Sequence, residues 1–135
     1  MTIQTIGVIG AGTMGNGIAQ VCAAAGYRVL MLDINDDALE RGLSALTRNL
    51  ERQVSKQTLS SAQAEAAIAR VQTSTDYSHL NVADIVVEAA TENLELKLRI
   101  LKQITQYVRP TCVIATNTSS LSITQLGASL SLIHI

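Results

Sequence analysis

Three glycines in Gly10-Ala11-Gly12-Thr13-Met14-Gly15 stand at the spacing G-x-G-x-x-G, and an acid, Asp33, follows about twenty residues later. That combination suits a turn that must bring its backbone against a phosphate. Gly10 permits the tight turn, Gly12 lets the backbone approach a pyrophosphate, and Gly15 lets the following helix pack closely on the preceding strand. The start of that helix offers unpaired N–H groups and a positive dipole end to the phosphates. Asp33 can accept hydrogen bonds from a ribose diol, and its charge repels a 2′-phosphate, so the pattern favours NAD over NADP. The glycine pattern alone also serves FAD.

These residues work only if a strand precedes the glycines, a helix follows them, and the acid ends a second strand. Ile6-Gly7-Val8-Ile9 is a short apolar run, Gly12 to Gly26 is rich in alanine and small residues, and Tyr27 to Asp33 is apolar until the acid at its tip. A βαβ unit is complete by Asp33. Asn35 can then N-cap a helix from Asp36 to about Glu51, with Leu39, Leu43, Leu46 and Leu50 at helical spacing. Ser60-x-x-Gln63 reads as a capping box opening a short helix to about Arg70. Two successive helices between strands predict a protrusion from the sheet. Val71–Ser74 and Ala83–Ala89 read as strands, Asn93 to Tyr107 as a helix closed by Pro110, and Cys112–Thr116 as the last clear strand. The polar run Asn117-Thr118-Ser119-Ser120 follows at its carboxyl end, where open α/β sheets bind ligands. The expected fold is α/β: a Rossmann-type, doubly wound, mostly parallel sheet with a helical protrusion between the second and third strands.

Composition agrees. At 135 residues and 47% hydrophobic content the chain can fill one core, and with 2% aromatics that core must be built from Val, Ile, Leu and Ala. A net charge of -1 with interspersed signs leaves no footprint for nucleic acid or an anionic membrane. The N-terminus carries no signal-peptide pattern, and no stretch is long and apolar enough to span a membrane, so a cytoplasmic location is expected. Cys22 and Cys112 read as buried structural thiols, His79 as a solvated residue in a polar link, and no metal-ligand cluster is expected.

Gly7-Val8-Ile9-Gly10-Ala11-Gly12-Thr13-Met14-Gly15 with Gly17-Ile18-Ala19, Val86-Val87-Glu88-Ala89, Glu92-Asn93-Leu94, Lys97, and Asn117-Thr118-Ser119-Ser120-Leu121 together resemble the 3-hydroxyacyl-CoA dehydrogenases, nearest to the 3-hydroxybutyryl-CoA branch. The resemblance covers Ile6 to about Leu126. It implies oxidation of an L-3-hydroxyacyl-CoA with NAD, or the reverse, in fatty acid or short-chain acyl-CoA metabolism, by a homodimer. Carried over by position, Gly10, Ala11, Gly12, Thr13, Met14, Gly15 and Asp33 would hold the adenosine side of NAD. Glu92, Lys97 and Asn117 would line the nicotinamide side. Ser119, at both cofactor and substrate, would hydrogen-bond the reacting oxygen as the catalytic residue of this segment. Lys56 falls where the family places a lysine against the CoA phosphates, while Asn49 replaces a frequent serine there.

The resemblance also implies a histidine base in a His-Phe-Phe-Asn-Pro-like strand and a large helical domain for dimerisation and substrate, and neither pattern is present. His134 is no substitute, because the residues around it do not continue the pattern. Leu130-Ser131-Leu132-Ile133-His134-Ile135 matches the translation of a transposase mosaic-end adapter. The expected organisation is therefore a dinucleotide-binding domain over 1–126, a non-native tail over 127–135, and a fold incomplete at the C-terminus. Two other readings stay open: a stand-alone NAD-binding module without turnover, and a related dehydrogenase of a free 3-hydroxy acid.

Overall fold

The computed structural model describes residues 3–91 and 93–116. Five strands, β1 (Thr5–Ile9), β2 (Arg28–Leu32), β3 (Val71–Ser74), β4 (Ile85–Glu88) and β5 (Val113–Thr116), form one sheet in the order β3-β2-β1-β4-β5. Every pairing is parallel, with Ile9 opposite both Leu32 and Glu88, and Glu88 opposite Thr116. The chain builds outward from β1 to β3, then returns to the other side of β1. Strand order thus reverses between β1 and β4, which opens a crevice at the carboxyl ends of the strands.

Helices α1 (Thr13–Ala24), α2 (Asp36–Ser55) and α3 (Ser61–Ala69) follow the strands of the first half, and α4 (Leu94–Tyr107) joins β4 to β5. Strand side chains alternate between faces. Ile6, Val8, Val29 and Met31 meet Ala19 and Ala23 of α1, Leu39, Leu46 and Leu50 of α2, and Ala64 and Ala67 of α3. Ile9, Leu30, Leu32, Val86 and Ile114 meet Leu80 and the Ile100, Leu101 and Ile104 stripe of α4 on the opposite face. The core is aliphatic, as the composition requires.

The helical segment between β2 and β3 packs by one side onto α1, and its far end, from Ser55 to Thr58, is exposed. Helix α3 has nine residues, too few to persist alone, and is held by its buried alanines and by the reciprocal Ser60–Gln63 capping box. Helix α2 runs past Glu51 to Ser55 because Val54 continues its core-facing stripe. It stops where Gln57 takes a positive φ of 61°.

The expected fourth strand is shorter, because Ala83 is bonded back to Leu80 in a turn and the ladder runs only over Ile85–Glu88. The residues before it are not a plain link. Tyr77–Val82 form a 3-10 helix capped by Asp76, which places Tyr77 and Leu80 against the sheet. Exposed His79 sits on that helix with Nδ1 2.7 Å from Ser74 Oγ. Cys112 is buried just before β5, and Cys22 is half-buried in α1; both are free thiols whose burial pushes their pKa up. Among the described residues, no helix is long and apolar enough to cross a membrane.

Candidate functional site

The glycine loop leaves β1 at the crevice. The Gly10 N–H donates to the Leu32 carbonyl at 2.7 Å, drawing the loop over the end of β2. Gly10 has φ 105°, and a Cβ there would lie 2.8 Å from the Ala90 Cα, so this residue must turn left-handed while touching the segment after β4. Gly15 faces the tighter limit: a Cβ would stand 1.8 Å from the Gly10 carbonyl oxygen. Gly12 differs, because nothing lies within 4 Å of where its Cβ would be. Gly10 and Gly15 are demanded by the fold, while Gly12 leaves an open approach to the backbone.

That open approach lies at the N-terminus of α1. Gly12 is its N-cap, with no side-chain cap and no acid in the first turn. Each other helix has one: Asn35, Ser60 and Asn93 accept from first-turn amides of α2, α3 and α4, and Asp76 caps the 3-10 helix. First-turn amides with no side-chain cap among the described residues, beside a backbone with no Cβ, fit a bound phosphate group, and so the pyrophosphate of a dinucleotide. Thr13 and Met14 are exposed at this end, and Ala11 is buried beneath it.

Asp33 closes the other side. Its Oδ2 accepts from the Ala11 N–H at 3.0 Å and its Oδ1 from the Ile34 N–H at 2.7 Å. The acid therefore orders the glycine loop, and each oxygen keeps a lone pair for a further donor. Asp33 and Gly10 line a cavity of about 510 Å³ with Ile34, Tyr77, Ala90 and Ile100. Ile34 is 86% exposed, an apolar side chain left on the rim where a flat ring could lie. The Tyr77 phenol is pushed up in pKa by burial and then by the negative charges of Asp33 and Glu88. Tyr77 and Ile34 line this candidate site and were missed by pattern reading: Ile34 had only its adjacency to Asp33 as a signal, and Tyr77 had none.

Across the crevice stands a buried polar cluster. Glu88, the last residue of β4, is fully buried, and Lys97 in α4 is 1% exposed. The Lys97 ammonium donates to Glu88 Oε1 and, at 3.3 Å, to Thr116 Oγ1. Thr116 donates to Glu88 Oε1 at 2.8 Å, and Glu88 Oε2 accepts from the Ala90 N–H at 2.8 Å. Glu88 ends an apolar strand as Asp33 follows another, and that acid at a strand tip was the readable signal for it.

The sequence-derived residues divide accordingly. Gly10, Ala11, Gly12, Thr13, Met14, Gly15 and Asp33 come together, with the Lys97 cluster at the neighbouring strand ends. Lys56 does not join them: it is the exposed C-cap of α2, whose twenty residues span about 30 Å from their start beside Asp33. Asn49 lies on α2 and accepts from Arg52 at 3.4 Å. Glu92, Asn117, Ser119 and the tail over 127–135 lie outside the described residues.

The model of the 3-hydroxyacyl-CoA dehydrogenase NAD-binding domain matches residues 5–132. The 3-hydroxybutyryl-CoA dehydrogenase of Bradyrhizobium diazoefficiens is 39% identical over 127 residues, covering 94% of this chain and 43% of that protein. The 3-hydroxyadipyl-CoA dehydrogenase of Escherichia coli is 39% identical over 130 residues, covering 96% of this chain and 27% of its own. The crystal structure of (S)-3-hydroxybutyryl-CoA dehydrogenase from Ralstonia eutropha superposes with a TM-score of 0.90 at 50% identity, over 94% of this chain and 45% of that one. The chain spans less than half the length of these relatives.

Proposed function

The chain belongs to the 3-hydroxyacyl-CoA dehydrogenase family as its NAD-binding domain, and we propose that it is the cofactor half of an enzyme that interconverts L-3-hydroxyacyl-CoA and 3-oxoacyl-CoA, with 3-hydroxybutyryl-CoA as substrate. The observation that carries this reading is the uncapped N-terminus of α1 beside the open Gly12 and the Asp33 carboxylate. Gly10 to Gly15 bind the pyrophosphate, and Asp33 takes the ribose diol and repels a 2′-phosphate, so the cofactor is NAD rather than NADP. When bound, NAD supplies the hydride acceptor.

The remaining roles follow position. Glu92, Lys97 and Asn117 line the nicotinamide side, and Ser119 hydrogen-bonds the reacting oxygen, which orients it and favours charge developing there. The proton of the hydroxyl goes to a histidine base supplied from beyond this segment. Lys56, far along α2 from the crevice, contacts the phosphates of CoA, an extended substrate that can reach it. The enzyme is a cytoplasmic homodimer.

The test is NADH oxidation driven by acetoacetyl-CoA in the full-length protein. Turnover with NADH and much weaker turnover with NADPH is expected. Asp33→Asn should narrow that preference by about tenfold, the effect of removing one close charge repulsion. Lys56→Glu should raise KM for the CoA substrate and leave NADH binding unchanged. NADH binding without turnover of any 3-oxoacyl-CoA would overturn the enzyme reading and leave a cofactor-binding module.

A further inference from the structure

The Lys97 ammonium is in an expensive place. It is 1% exposed, although a lysine ordinarily threads its stem along apolar surface and leaves its charge in water. It also stands in the first turns of α4, near the positive dipole end, where a cation is disfavoured. The next buried positions of the helix, Ile100, Leu101 and Ile104, show that this stripe is otherwise apolar. A buried ion pair is weak evidence of a stability device, because well-packed apolar residues of similar volume usually serve as well. Retaining the pair at the carboxyl ends of β4 and β5 therefore calls for another reason.

We propose that Glu88 and Thr116 are positioning residues that hold the Lys97 ammonium in a fixed orientation at the crevice, so that it meets the cofactor already ordered. The proposal rests on the reading that NAD binds in this crevice with Lys97 along it. The carboxylate of Glu88 is committed on both oxygens: Oε2 to the Ala90 N–H, Oε1 to Lys97 and Thr116. Its place is thereby locked to the backbone that also touches Gly10. Thr116 donates to Glu88 and accepts from Lys97, closing a triangle in which no member can swing independently. A free lysine would lose its rotamer freedom on binding, whereas here folding has already removed it.

The test is a double-mutant cycle on the full-length protein, read as the NADH Kd by fluorescence titration with thermal melts alongside. Lys97→Met should weaken NADH binding by about tenfold, Glu88→Gln by nearly as much, and Thr116→Val by about threefold, as expected for residues acting through one group. In the Lys97→Met background, Glu88→Gln and Thr116→Val should add nothing. Additive losses, or a Glu88→Gln protein that melts lower but keeps the wild-type Kd, would overturn the proposal. If Glu88→Gln does not fold, Thr116→Val alone and in the Lys97→Met background decides by the same criteria. Gly12→Ala separates the two levels of inference. If it abolishes NADH binding while Lys97→Met leaves it intact, only the positioning role fails; if wild type does not bind NADH, the cofactor reading itself fails.

Discussion

The two walls of the crevice are made of different materials. On the β1–β2 side the wall is mostly backbone: glycines at three positions and the first-turn amides of α1, with one carboxylate that ties the loop down. On the β4–β5 side the wall is a knot of buried side chains, Glu88, Lys97 and Thr116, with one backbone amide drawn in. A backbone wall fails through sterics, at positions where a single Cβ has no room. A side-chain wall fails through charge, when one partner is removed and the other is left buried. The two kinds of damage should be separable by experiment.

The largest effect should come from Gly15. Its Cβ would stand 1.8 Å from the Gly10 carbonyl oxygen, and neither atom belongs to a flexible side chain. Gly15→Ala should destabilise by more than about 4 kcal/mol, a large share of the stability of a domain this size, so that the thermal melt shifts far down or loses its cooperative transition. A well-folded Gly15→Ala protein would mean that the contact between α1 and the loop can relax, and the contrast between the walls would collapse. Glu88→Ala should cost about 3–5 kcal/mol by taking the carboxylate away from the buried Lys97 charge, with Lys97→Met added to it recovering a good part. Losses that simply add would show that the pair acts as two packing residues.

The backbone wall was legible in the sequence because its requirements are written as residue types. Only glycine satisfies Gly10 and Gly15, so the spacing gave the turn, the helix start and the acid at the next strand tip. The capping residues Asn35 and Ser60 were readable for the same reason, since a side-chain oxygen at that place has few other uses. The side-chain wall was legible only at Glu88, an acid that ends an apolar strand. Glu88, Lys97 and Thr116 lie in different elements, and their meeting depends on β5 pairing beside β4, which no local pattern specifies. Lys97 was reached only through family resemblance, and Thr116 carried no signal beyond ending a strand. Tyr77 was hidden because a six-residue 3-10 helix leaves too short a pattern to detect.

Gly12 sharpens the contrast from the other direction. Its surroundings are open and its φ of -71° suits any residue, so Gly12→Ala should shift stability by no more than about 1 kcal/mol, the span between glycine and alanine at an N-cap. The new methyl group would nonetheless occupy the approach to the first-turn amides. NADH Kd should rise by about tenfold or more with the melting temperature nearly unchanged, a separation of binding from folding that Gly10 and Gly15 cannot show. An unchanged Kd would move the phosphate site away from the α1 N-terminus.

The smallest effect belongs to a second ion pair in the same half of the sheet, at the other end of β4. Asp84 accepts from the Gln4 and Thr5 N–H groups at 2.9 and 3.0 Å and from Arg109 at 2.6 Å, and the Arg109 side chain is 48% exposed. The two backbone amides, then Arg109, hold its pKa down to about 2. A carboxylate with a depressed folded-state pKa contributes stability that is present above its unfolded value near 4 and is lost as pH falls toward 2. With solvent screening the contribution is about 1 kcal/mol, and Asp84→Asn should remove most of it at neutral pH while flattening the acid limb of the stability curve. Because backbone amides outrank Arg109 as the cause, added salt should erase only part of the difference between the two proteins. Full erasure by salt would make Asp84 an ordinary surface ion pair. Partial persistence would mark it as an anchor for the β1 end, leaving the buried pair at the crevice as the one in this half of the sheet that stability alone does not explain.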